Sequence, residues 1–85
     1  MKKVTIYSGD PCPYCAAAKA LLKTKNVEIE EFDIWKDPTK AKEMIQRTNG
    51  AKTIPQIFVG EHHVGGNEQL QDANRSGELD KLLSS

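Results

Sequence analysis

The stretch VTIYSGDPCPYCAAAKALLK, residues 4–23, decides the fold of this chain. It begins with strand-forming residues, Val4 to Tyr7, passes through a loop rich in turn formers, and ends in an alanine-rich segment that favours a helix. Pro13 suits the first turn of that helix, because no N–H donor is needed there. Cys12 and Cys15 are therefore predicted to lie where a strand gives way to the N-terminus of a helix.

The motif Cys12-Pro13-Tyr14-Cys15 contains both cysteines of the chain and suits thiol–disulfide chemistry. Unpaired N–H groups and the helix dipole favour negative charge at a helix N-terminus, so the first thiol is expected to ionise readily. An ordinary thiol, with a pKa of about 8.5, is only about 3% thiolate at pH 7. We predict that Cys12 is the nucleophile and Cys15 the resolving thiol. A purely structural disulfide is disfavoured, because so short a loop stabilises a fold little.

Cysteines at this spacing also occur in zinc sites, so a zinc half-site, or two reduced thiols without a role, is the alternative. Zinc would need two further ligands, and His62 and His63 are the only histidines. Adjacent residues of a strand point to opposite faces, so both imidazoles could not easily bind one ion. We therefore predict no metal site and interpret the two histidines as surface residues of a hairpin.

Length and charge narrow the class of protein further. The 85 residues are enough for one domain, 1–85, with a modest core. Twelve basic and twelve acidic side chains balance, which argues against general binding to nucleic acid or to a membrane surface. No apolar stretch approaches the roughly 20 residues of a membrane span, and no signal-peptide pattern is seen. A cytoplasmic location is the expectation.

The remaining elements follow from local signals. These predict a strand over Glu28–Asp33, a helix from Asp37-Pro38 to Asn49-Gly50, a hairpin of Gln56–Val59 and His62–Val64, a helix capped by Asn67, and a last amphipathic turn or two around Leu79–Leu83. The predicted fold class is α/β, in the order β-α-β-α-β-β-α. The first βαβ unit should be parallel and right-handed, and the hairpin antiparallel. A four-stranded mixed sheet flanked by helices on both faces results.

Several motifs, taken in order, resemble a known family. They are Tyr7, Cys12-Pro13-Tyr14-Cys15, Ala18-Lys19, Thr53-Ile54-Pro55-Gln56-Ile57-Phe58-Val59 and Gly65-Gly66. Together they resemble a small dithiol glutaredoxin with the thioredoxin fold, nearly from end to end. The resemblance implies an enzyme that reduces protein disulfides and glutathione mixed disulfides. It also implies glutathione as co-substrate, no tightly bound cofactor, and disulfide-bonded or glutathionylated proteins as partners of a monomer.

The resemblance also implies a glutathione site. The backbone of Ile54 would pair with the cysteinyl unit of glutathione, next to a cis bond before Pro55. The γ-glutamyl carboxylate would bind where a helix begins near Asn67, and Glu68 would accept the ammonium. Gly66 would allow a close approach of backbone, and Tyr14 would form a wall. The predicted binding set is Tyr14, Lys52, Thr53, Ile54, Pro55, Gly66, Asn67 and Glu68.

One position departs from the family pattern. Glutaredoxins usually have a lysine in the loop before the cysteines, and this chain has Gly9 there, followed by Asp10. A carboxylate pointing inward would raise the pKa of the thiol. The sequence offers three other cations for the missing role, namely Lys52, Arg47 and Lys19, and does not decide among them.

Three other functions remain as alternatives. A thioredoxin-like reductase served by a flavoprotein is disfavoured by the Pro-Tyr pair between the cysteines and by Gly65-Gly66. An iron–sulfur carrier, with Cys12 and glutathione as ligands between two chains, is disfavoured by Pro13. A redox-inert adaptor would use the fold only to bind a partner.

Overall fold

The computed structural model describes residues 2–84, which form four strands and four helices. In chain order these are β1 (Val4–Ser8), α1 (Pro13–Lys23), β2 (Ile29–Asp33), α2 (Pro38–Arg47), β3 (Gln56–Val59), β4 (His62–Gly65), α3 (Asn67–Ser76) and α4 (Glu78–Ser84). The strands form one sheet in the order β2-β1-β3-β4. β1 is parallel to β2 and antiparallel to β3, and β3 is antiparallel to β4. The predicted fold class is confirmed.

The sheet separates two hydrophobic cores, because alternate residues of a strand point to opposite faces. The larger core lies beneath α1, α3 and α4 and contains Val4, Ile6, Ala18, Leu22, Ile57, Val59, Leu70, Leu79 and Leu83. The smaller core lies beneath α2 and contains Tyr7, Ile34, Met44 and Phe58. Both faces of the sheet are therefore covered. Within residues 2–84, none of the helices combines the length and the apolar character that crossing a bilayer requires.

Local signals set the ends of α2 as predicted. Asp37 is the N-cap of α2, and its carboxylate accepts a hydrogen bond from the N–H of Thr39. Asn49 and Gly50, just after α2, have φ angles of 64° and 110°. Asn26, after α1, has a φ of 59°. Asparagine and glycine tolerate this left-handed conformation better than other residues, which is why they end helices.

The start of α3 differs from the prediction by one residue. Gly66, rather than Asn67, is the N-cap, and Asn67 is the first helical residue. The Oε1 of Gln69 accepts a hydrogen bond from the N–H of Gly66 at 2.9 Å, so the side chain at the third helical position serves the cap. The last amphipathic turns form the separate helix α4, because Gly77 ends α3 with a φ of 85°.

Candidate active site

The cysteine pair lies at the N-terminus of α1. Cys12 is the N-cap residue and Cys15 lies in the first turn, and the two form a disulfide with their Cα atoms 5.2 Å apart. The exposed fraction of Cys15 is only 1%, whereas Cys12 is half-buried. A substrate therefore reaches the sulfur of Cys12 more readily than that of Cys15.

The sulfur of Cys12 lies at the N-terminus of α1 and accepts a hydrogen bond from its backbone. The N–H of Cys15 donates to this sulfur, with the nitrogen and sulfur 3.1 Å apart. When the disulfide opens, the same donor and the positive end of the helix dipole favour negative charge on Cys12. This geometry is compatible with the predicted role of Cys12 as the nucleophile.

The loop before the cysteines is covered by an indole ring. Gly9 is buried, and a Cβ atom built there would lie 2.6–2.8 Å from three ring carbons of Trp35. Trp35 is held in a turn, because its backbone N–H donates a hydrogen bond to Oδ1 of Asp33 at 2.9 Å. No side chain fits at position 9 while the indole stays in place, which accounts physically for the missing lysine. No local pattern predicts this contact, because the two residues are 26 positions apart.

A groove of about 370 Å³ contains seven of the eight predicted binding residues. Its lining is Tyr14, Thr53, Ile54, Pro55, Gly66, Asn67, Glu68 and Gln69. Sequence reasoning missed Gln69. Its side chain reaches the groove because it accepts a hydrogen bond from the N-cap residue of α3. Lys52 does not line the groove; it is exposed and directly precedes Thr53. The peptide bond before Pro55 is cis, as the resemblance implies, and the bond between Asp10 and Pro11 is also cis.

Two of the three candidate cations are engaged elsewhere. The Nζ of Lys19 lies 2.9 Å from a carboxylate oxygen of Glu31. Arg47 donates to the hydroxyl of Tyr7 at 2.8 Å, and its guanidinium lies 3.9 Å from the ring centre of Phe58. Lys52 has no ion-pair partner within residues 2–84. Within residues 2–84, it is therefore the one candidate of the three that neither an ion pair nor a side-chain hydrogen bond holds elsewhere.

Two carboxylates support the framework around the site. The Ser8 hydroxyl and then the Lys19 ammonium, both bonded to Glu31, hold the pKa of that carboxyl below its usual value. On the other face of the sheet, the hydrogen bond from the Tyr7 hydroxyl lowers the pKa of Glu43. Burial raises the pKa of Tyr7. Both carboxylates are therefore ionised near neutral pH, and Glu31 anchors the residue that precedes Gly9.

A second cleft, of about 400 Å³, lies apart from the cysteines. Most of its lining residues are charged, and both signs are present. They are Lys3, Thr5, Glu30, Glu43, Arg47, Gly60 and Glu61. Its lining includes no part of the cysteine motif. No three histidine, cysteine or acidic side chains cluster as metal ligands in the part of the chain that the structure describes. The groove beside Tyr14 is therefore the candidate binding site.

A thioredoxin-type sheet with a dithiol at the N-terminus of its first helix defines a thiol–disulfide oxidoreductase. Comparisons with known proteins narrow the class. The sequence profile of the glutaredoxin family matches residues 4–64. Glutaredoxin 3 of Escherichia coli K12 is 45% identical over 83 residues, covering 98% of this chain and 99% of the relative. The chain belongs to the glutaredoxin family.

Solved structures agree with this assignment. The solution structure of glutaredoxin from Brucella melitensis is 46% identical, with a TM-score of 0.81 over 98% of this chain and 89% of that one. A buckwheat glutaredoxin–glutathione complex is 23% identical, with a TM-score of 0.84 over 95% of this chain and 76% of that one. At that identity the buckwheat protein shares the fold.

Proposed function

We propose that this glutaredoxin reduces protein disulfides and glutathionylated proteins, with glutathione as the electron donor and no tightly bound cofactor. One observation carries the proposal, namely that the dithiol and the groove are continuous. Tyr14, between the two cysteines, also lines the groove formed by the Thr53–Pro55 loop and the start of α3. A tripeptide in this groove would hold its sulfur next to Cys12.

The chemistry of the groove matches the groups of glutathione. The N–H groups of Asn67 and Glu68, in the first turn of α3, suit the γ-glutamyl carboxylate, and the exposed carboxylate of Glu68 suits the ammonium. The backbone of Ile54 would pair with the cysteinyl unit in an extended conformation. Lys52 would meet the glycyl carboxylate, because Arg47 is hydrogen-bonded to Tyr7 and Lys19 is paired with Glu31. Membership of the glutaredoxin family, with a 45% identical glutaredoxin 3, supports the choice of ligand.

The reaction is a series of displacements at sulfur. The thiolate of Cys12 attacks the glutathionyl sulfur of a modified protein, the old S–S bond breaks, and the protein thiolate leaves and takes a proton from water. A second glutathione thiolate then attacks the glutathionyl sulfur on Cys12, which releases oxidised glutathione and restores the Cys12 thiolate. With a protein disulfide, Cys12 first attacks one sulfur of that bond and forms a mixed disulfide with the substrate. Cys15 then attacks the sulfur of Cys12, which releases the reduced protein and forms the Cys12–Cys15 bond. Two glutathione molecules then reduce the Cys12–Cys15 bond.

Cysteine substitutions test this division of roles. Cys12→Ser should abolish both activities, because no other thiol can begin either reaction. Cys15→Ser should retain deglutathionylation and lose reduction of protein disulfides. Each activity is measured as the rate of glutathione oxidation, with a glutathionylated peptide as substrate for the first and a protein disulfide for the second. Equal loss of the two activities in both variants would contradict the proposal, and so would faster turnover with a thioredoxin reductase than with glutathione.

We further infer that residues 1–85 act as a single domain and as a monomer in the cytoplasm. Thiols stay reduced in that compartment, which the regeneration of Cys12 by glutathione requires. Sedimentation at the mass of one chain, with and without glutathione, checks the monomer.

A further inference from the structure

A line of hydrogen bonds runs from an exposed histidine to the groove. The Nε2 of Gln56 donates to the carbonyl oxygen of Thr53 at 3.0 Å and to its Oγ1 at 3.1 Å. The Oε1 of the same amide lies 2.7 Å from Nε2 of His63. Thr53 lines the groove, whereas His63 does not. The side chain of Gln56 therefore connects a residue of the edge strand β4 to the groove.

The direction of each bond follows from the chemistry of the groups. The carbonyl of Thr53 only accepts, so the amide nitrogen of Gln56 faces it and the amide oxygen faces His63. The ring nitrogen of His63 must then carry a proton and donate. Burial, with smaller contributions from His62 and Arg47, lowers the pKa of His63 and favours the neutral ring. A neutral ring protonated on Nε2 makes the observed bond.

Two of the three residues in this line, Gln56 and His63, lie on strands of the sheet. Gln56 is only 5% exposed, and its backbone lies opposite Tyr7 in the centre of the sheet. His63 lies opposite Phe58, and the two rings stack with their centres 4.8 Å apart and their planes at 23°. An imidazole held in this way fixes the rotamer of the Gln56 amide, and the amide in turn fixes the Thr53 carbonyl.

We propose that His63 is a positioning residue for the glutathionyl group. Through Gln56 it holds the segment Thr53–Ile54 in the conformation that pairs with the cysteinyl unit of glutathione. The inference rests on the proposed function, because it concerns binding at that same groove. It assigns no chemistry to His63 itself, which neither lines the groove nor belongs to the cysteine motif.

The test separates the hydrogen bond from the ring. The amide nitrogen of a glutamine reaches as far from Cβ as Nε2 of histidine does, whereas that of an asparagine does not. His63→Ala and His63→Asn should lower kcat/KM for a glutathionylated peptide about 3–10-fold, the size of one net hydrogen bond. His63→Gln should restore it to within about twofold. Gln56→Ala should lower kcat/KM by a similar factor. Adding His63→Ala to that variant should lower kcat/KM no further, because both residues act through one line of hydrogen bonds.

A second readout excludes a general effect on the structure. Alkylation of reduced Cys12 by iodoacetamide needs the thiolate but not the groove, so its rate should be unchanged in every His63 variant. Wild-type kcat/KM in His63→Ala, or no rescue by His63→Gln, would overturn the inference while leaving the proposed function intact. Slower alkylation in parallel with kcat/KM would also overturn it. Failure of the wild-type protein to turn over the peptide with glutathione would instead count against the proposed function.

Discussion

Gly9 shows how a single residue shapes the surroundings of Cys12. Its backbone lies against the six-membered ring of Trp35, so this loop has no room for the cation that most glutaredoxins carry. The helix N-terminus and the N–H of Cys15 are therefore left to stabilise the thiolate. Because Trp35 is 56% exposed, the indole shields the loop on one side and remains accessible on the other.

A double-mutant cycle tests this contact. Gly9→Ala should destabilise the protein by about 1–3 kcal/mol, because the new methyl group overlaps the indole and one of them must move. In a Trp35→Ala background the same substitution should cost much less, since the ring is gone. Thermal or urea unfolding of the four proteins gives the coupling. Equal costs in the two backgrounds would show that the indole does not restrict position 9.

At the scale of elements, helix α2 is joined to β1 by hydrogen bonds between its charged side chains and the hydroxyl of Tyr7. The hydroxyl of Tyr7 donates to Glu43 and accepts from Arg47, and Lys40 lies 3.3 Å from the other carboxylate oxygen of Glu43. The pKa of Glu43 is lowered chiefly by the Tyr7 hydrogen bond. A carboxyl whose pKa is lower in the folded than in the unfolded protein stabilises the fold above the unfolded pKa of about 4.3, and that stability is lost as pH falls through the folded pKa.

Glu43→Gln should therefore lower stability at pH 7 and flatten its dependence on pH in acid. The amide can still accept from Tyr7, so the variant removes the charge while keeping the contact. Glu28→Gln is the matched control, because Glu28 is exposed and has no ion pair among residues 2–84. Urea unfolding between about pH 3 and pH 7 measures the effect. An identical pH profile for the Glu43 variant and wild type would contradict it.

Among the helices and strands, some features could be predicted from the sequence and others could not. Strand β1, both ends of α2 and the hairpin were predicted to within one or two residues, because prolines, caps and alternation act over a few residues. The cysteine pair was predicted from its motif at the start of a helix, whereas the binding set, seven of whose residues line the groove, was predicted through a family resemblance. The contact of Gly9 with Trp35 and the bond between Gln56 and His63 were not, because they depend on how separate elements pack. The cap of α3 was missed by one residue, since Gln69 rather than Asn67 supplies the bond.

For the whole molecule, the larger core supports the groove. Helix α3 begins at the groove and rests on this core through Leu70, and α4 covers the same core through Leu79 and Leu83. A helix of seven residues, such as α4, is not stable in isolation, so it forms only because its apolar side is buried. The start of α3, where the glutathione carboxylate is proposed to bind, thus depends on the packing of the chain's last helix.

Truncation of Leu79 tests that dependence. Leu79 is 0% exposed, so Leu79→Ala should cost about 2–5 kcal/mol and lower Tm by at least about 8 °C. Leu21→Ala is the matched control, because Leu21 is only partly buried against the same core and should cost less. At 10 °C, where both variants remain folded, kcat/KM for a glutathionylated peptide should fall only in the Leu79 variant, since only there is α3 less firmly held. Equal Tm losses in the two variants, or unchanged kcat/KM despite a large loss for Leu79→Ala, would show that α4 does not support the groove.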